Sequence, residues 1–97
     1  MVISFMVEEA RKQLEEKDVV YTLRPTMRKR VGYDWYNHFR TDTKKGDVKI
    51  EYINNFLGYE SMLKYYVRFS GFSSLEEWLE KAGKSRYLYR VILLKRK

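Results

Sequence analysis

Thr22 and Arg24 stand two apart in Val19-Val20-Tyr21-Thr22-Leu23-Arg24, a run of strand-forming residues stopped by Pro25. Side chains two apart on a strand share a face, so a hydroxyl and a guanidinium point the same way. That pair has the chemistry of an anion site, because the guanidinium offers a planar fork of donors to a phosphate. Downstream come the cationic run Arg28-Lys29-Arg30 and then Tyr33, Trp35, Tyr36, His38 and Phe39, followed by Arg40, Lys44, Lys45 and Lys49. From Tyr21 to Ile50, eight bases stand against three acids, a local charge of +5. Cations supply phosphate affinity, and flat rings supply stacking worth about 1–3 kcal/mol per base. The segment therefore points to nucleic acid, and to RNA ahead of duplex DNA. The residues expected to make the contacts are Arg24, Arg28, Lys29, Arg30, Tyr33, Tyr36, Arg40, Lys44 and Lys45.

Groups able to move a proton are few. His38 titrates near neutrality, but it is the only histidine and has no acid beside it in the chain. A lone histidine of this kind is more often structural, or a hydrogen-bond donor to a phosphate, than catalytic. Glu76, Glu77 and Glu80 fall on a helical stretch, where Glu76 and Glu80 share the polar face and Glu77 is spaced to pair with Lys81. The candidate catalytic groups are thus Thr22, His38 and Glu77. Cysteine is absent and one histidine cannot hold zinc, so neither a metal nor a cofactor is expected.

Ninety-seven residues make one domain with room for a single modest core. An aromatic content of 16% argues against disorder. The net charge of +7 attracts polyanions, and it is unevenly spread: residues 84–97 carry six bases and no acid, whereas residues 51–83 are net acidic. Two basic segments flanking an acidic one suggest one basic face assembled by folding. No apolar run approaches the ~20 residues that span a bilayer. The start MVISFMVEEA lacks the basic lead of a secretory signal, so a cytoplasmic location is expected. A single glutamine among many Lys, Arg and Glu resembles heat-adapted composition.

The elements that must position these groups can be read from periodicity and turn chemistry. Residues 6–17 predict a helix with Met6, Val7, Ala10 and Leu14 on its buried stripe. A strand follows at 19–24. Residues 26–46 lack a clean period and read as a long loop, with a helical turn near Asp34–Phe39. Lys45-Gly46-Asp47 opens a strand at 48–53, and Asn54-Asn55 marks a turn. The β-forming residues of 62–69 favour a strand. Ser73 or Ser74 caps a helix over Leu75–Ala82 that buries Leu75, Trp78 and Leu79 and stops at Gly83. Residues 87–94 form the last strand. The order α, β, β, β, α, β gives a small α+β domain whose mostly antiparallel sheet curls toward a barrel to hide its edges.

Thr-Leu-Arg ending one strand, Lys-Gly-Asp-Val opening the next, then Ser-Gly-Phe-Ser-Ser-Leu-Glu-Glu-Trp and a closing apolar strand resemble the ASCH domain family. The resemblance runs from about Val19 to Lys95. It implies a small PUA-like β-barrel flanked by two helices, residues 1–18 forming a helix packed on the barrel, and an association with RNA. Trp35 would then either plug the barrel mouth or serve as a further stacking ring. Some members are acetylcytidine amidohydrolases with a first-strand motif similar to Lys-x-x-Thr-x-Arg. Thr22 and Arg24 match that motif, Val19 stands where the lysine would be, and Glu76 or Glu77 matches the family's acid. The leading expectation is an RNA-binding module using a basic cleft near Thr22 and Arg24. The alternatives are a hydrolase acting on RNA or a modified nucleoside, and an adaptor whose basic face meets an acidic protein.

Overall fold

A computed structural model describes residues 2–38 and 43–94 of the chain. Five strands and two α-helices alternate in the order β1 (Val2–Ser4), α1 (Glu8–Lys17), β2 (Val19–Arg24), β3 (Gly32–Asn37), β4 (Gly46–Asn55), α2 (Leu75–Ala82) and β5 (Tyr87–Leu94). Two 3-10 turns, Glu60–Tyr65 and Val67–Phe69, lie between β4 and α2. The strands form one curled sheet, a half-barrel ordered β1-β3-β4-β5-β2. Only β1 and β3 run parallel; the other pairs are antiparallel. The α+β class, both helices and the strands β2, β4 and β5 agree with the sequence reading.

Helix α1 begins at Glu8, later than its apolar pattern implies. Met6 is 60% exposed and Val7 is exposed, so only Ala10 and Leu14 seat the helix. It ends at Asp18, whose φ of 66° places it in the left-handed region and whose N–H bonds Leu14 O at 2.9 Å. The chain can then turn straight into β2.

Residues 32–37 form a strand, not the expected loop with a helical turn. Tyr33, Trp35 and Tyr36 are β-formers, but the alternation is hidden because aromatic residues occupy both faces and Asp34 points inward. Arg28 neutralises Asp34 at 3.3 Å, with both side chains largely buried. Residues 62–69 are also corrected, from strand to 3-10 turns. Leu63, Tyr66 and Phe69 recur every third residue, the 3-10 period, and Tyr66 N bonds Leu63 O as Phe69 N bonds Tyr66 O. Asn54 and Asn55 extend β4, and the turn comes at Leu57-Gly58. A register shift between Tyr52 and Asn54 interrupts the β4–β5 ladder before the 3-10 segment.

Two cores lie on opposite faces of the sheet. Inside the curl, Ile3, Phe5, Leu14, Val20, Tyr36, Val48, Ile50, Tyr89 and Val91 pack with Ala10 of α1. Outside it, Leu23 and Leu88 pack with Phe56, Leu63 and Trp78, so α2 and the 3-10 turns cover the β2–β5 side. Ser74 caps α2 by accepting from Glu77 N, as expected. Gly71 joins the two halves: its φ is +92°, and a Cβ there would lie 2.2 Å from Glu9 O. Only glycine lets this loop meet the backbone of α1 so closely.

Candidate nucleic-acid interface

β2 is an edge strand, and a cleft of about 220 Å³ opens along it. Tyr21 to Pro25 supply one wall, Val7 with Ala10 of α1 a second, and Phe72 with Trp78 and Lys81 of α2 a third; Ser85 also lines it. A hollow of about 130 Å³ shares Thr22 and Arg24 and reaches Ser4 and Phe5. The structure thus brings Thr22 and Arg24 into one cleft, with Lys81 and Ser85 as polar neighbours that the sequence did not single out.

Arg24 is held firmly. Its Nη1 donates to Ser4 O at 3.0 Å, and the guanidinium carbon lies 5.0 Å from the Phe5 ring centroid. Nε is buried without a hydrogen-bond partner, and among the described residues no carboxylate pairs with the guanidinium. Burial, and then the nearby Arg28 charge, pull the group down to about 10, opposed in part by Tyr89. A cation kept charged at neutral pH without a counter-ion is a site of positive potential.

The basic loop after β2 is anchored, not loose. Arg28 N donates to the hydroxyl of the fully buried Tyr89 at 2.5 Å, and Arg28 Nε donates to Arg30 O. With Asp34 at its Nη2, Arg28 is a structural brace more than a free phosphate ligand. Lys29 and Arg30 are exposed. Tyr33 is 78% exposed, as expected, and Lys49 Nζ sits 5.8 Å from its ring centroid. Lys44 is exposed and paired with Asp47 at 2.5 Å, and Lys45 is exposed at the start of β4. Arg40 lies outside the described residues.

Tyr36 is corrected: it is 3% exposed and belongs to the inner core. Its hydroxyl donates to Glu15 Oε2 at 2.9 Å, and His38 Nε2 lies 2.9 Å from the same oxygen. Burial raises Tyr36 to about 12, helped by the Glu15 carboxylate. Burial would raise Glu15 too, but hydrogen bonds from His38 and Tyr36 outweigh it and hold the carboxyl low. His38 therefore has an acid partner, supplied by α1 from 23 residues away in the chain. Only tertiary structure could reveal that pairing.

The three candidate catalytic groups do not line one pocket. Thr22 is buried in the cleft along β2. Glu77 lines a neighbouring hollow with Glu9 and Glu80 and accepts from Ser73 Oγ at 2.9 Å, in place of the pairing with Lys81 that its spacing suggests. His38 is engaged with Glu15. Lys17 ends α1 and Val19 opens β2, so β2 brings no lysine to the cleft. Among the described residues no cluster of three metal-ligating side chains forms, and no helix is long and apolar enough to cross a membrane. In the comparisons with known proteins, no family model matches the chain, and neither do curated proteins or solved structures.

Proposed function

We propose that the protein binds RNA, seating a backbone phosphate in the cleft along β2 with exposed cations of the β2–β3 loop alongside. The observation that carries this reading is Arg24, which lines the cleft with no carboxylate among the described residues to neutralise it. An anion entering the cleft would restore the electrostatic balance that burial removes. Thr22 and Ser85 offer hydroxyls there, and Lys81 adds a second charge from α2. Lys29 and Arg30 extend the positive surface beyond it. The ASCH resemblance points the same way and remains part of the proposal, as does a PUA-like relationship for the half-barrel. No observation favours the hydrolase, because Thr22, Glu77 and His38 do not converge.

The test is fluorescence anisotropy with a labelled RNA across a salt series. Binding should weaken with a slope of about −0.7 in log K against log salt for each single-strand phosphate neutralised. Lys81→Glu, at an exposed position on α2, should weaken binding severalfold with an unchanged melting temperature. Absence of binding at low salt, or salt-insensitive binding, would refute the reading.

A further inference from the structure

The half of the outer sheet face formed by β3 and β4 carries a second set of groups. Tyr36, Val48 and Ile50 point into the inner core, so the alternate residues Tyr33, Trp35, Asp47 and Lys49 point outward. Neither core cluster includes Tyr33 or Trp35. The register sets two cross-strand rows there. Tyr33 stands opposite Lys49, which stands opposite Ile92, and Trp35 stands opposite Asp47, which stands opposite Leu94. Successive rows lie about 6.6 Å apart, twice the strand rise. An exposed ring, Tyr33, and a half-buried one, Trp35, thus stand side by side on the sheet.

Among the described residues, the acids of this face are already engaged. Asp47 is held by Lys44, and Glu51 accepts from Arg90 at 2.8 and 2.9 Å. Lys49 has no acid partner among the described residues, and its Nζ lies 5.8 Å from the Tyr33 ring centroid. Exposed Lys29 and Arg30 precede β3, and exposed Lys44 and Lys45 lead into β4. Cations therefore flank the aromatic pair along the strand and sit within it.

Resting on the RNA-binding reading, we infer that this face is a stacking platform for single-stranded RNA. Consecutive bases stack on Tyr33 and Trp35 while Lys49 meets the intervening phosphate. A duplex keeps its bases paired and cannot use the rings, so the platform selects unpaired RNA over duplex. A protein partner would need charge complementary to Lys49 and the lysines before β4, and would be insensitive to whether a nucleic acid is single-stranded.

The experiment titrates the protein with unstructured oligouridine and with an RNA duplex, following anisotropy and tryptophan emission. The chain has two tryptophans, and Trp78 is buried in the outer core. Oligouridine should quench emission in the parent protein and not in Trp35→Phe. Tyr33→Ala should weaken oligouridine binding about tenfold, the loss of one stacked base, whereas Tyr33→Phe keeps the ring and should stay within about twofold. Lys49→Ala should weaken it about threefold to tenfold and lower the salt slope by about one phosphate. Duplex binding should not change in Tyr33→Ala. If Lys81→Glu weakens RNA binding but Tyr33→Ala and Lys49→Ala do not, the platform is refuted and the cleft stands. If the parent binds no RNA, both readings fall. A change of oligomeric state in Tyr33→Ala at constant RNA affinity would assign the face to a second copy of the chain and overturn the inference.

Discussion

Arg24 at the end of β2 donates through Nη1 to the carbonyl of Ser4 at the end of β1, 3.0 Å away. These strands are the two edges of the sheet, so one side chain bridges the half-barrel where no backbone ladder joins it. The bridge opposes two effects. A charge-assisted hydrogen bond contributes about 1.5–3 kcal/mol, while burial of an unpaired cation works against it.

Those opposing effects can be separated by substitution. Arg24→Ala removes the bridge and the packing of the stem on Phe5, and should cost about 1–3 kcal/mol in urea unfolding. Arg24→Met keeps the stem and discards the buried charge, so it should cost less. An equal or larger loss in Arg24→Met would show that the bridge outweighs everything the stem contributes.

Gly71 and Gly58 offer a matched comparison of backbone strain with and without a clash. Both have positive φ, +92° and +84°, but a Cβ at Gly58 meets nothing within 4 Å. Gly58→Ala should cost about 1–2 kcal/mol, from conformation alone. Gly71→Ala adds a collision with the Glu9 carbonyl and should cost about 3–5 kcal/mol or prevent folding. Similar melting temperatures for the two variants would contradict the close approach of the loop to α1.

Acid should loosen the contact between α1 and β3. The Glu15 carboxyl lies below its ordinary value of 4.5 in the folded protein, so the unfolded chain binds that proton more readily. The stability it contributes is therefore complete above pH 4.5 and is lost as the pH falls through the lowered value. Glu15→Gln should melt lower than the parent at neutral pH, and the gap should narrow in acid. A gap independent of pH would mean that the carboxylate charge is irrelevant.

Charge reversal at Lys29 and Arg30 should weaken RNA binding more than reversal at Lys12 and Lys17. All four are exposed, but the first pair follows Arg28 in the basic loop after β2, while Lys12 is paired with Glu8 on the net acidic helix. Arg28 is unsuitable for this comparison because its bonds to Asp34 and Tyr89 hold the loop. Equal losses from both pairs, measured by anisotropy, would indicate diffuse attraction without a localised site.

Acetylcytidine should not be hydrolysed above background in a chromatographic assay. General-base help needs a group within about 3 Å of the proton it takes, and Val19 has none to offer. Turnover that disappears in Thr22→Ala or Glu77→Gln would move the hydrolase reading ahead of simple binding.

Local chemistry alone placed β2, β4, α2 and β5, because each has a strong period and clear stops such as Pro25, Gly46, Ser74 and Gly83. It also placed Thr22 and Arg24 on one face, since alternation along a strand is fixed by covalent geometry. β1 is three residues long and pairs with a strand more than thirty residues away, so no local signal marks it. β3 is hidden because Asp34 faces inward, where Arg28 and the Trp35 N–H satisfy its carboxylate. Tyr33 and Tyr36 look alike in sequence, yet one is exposed and the other is buried beneath Glu15. Composition set the charge and the rings; the curl of the sheet and the packing of α1 and α2 decided which of them face solvent, because burial depends on contacts between residues far apart in the chain.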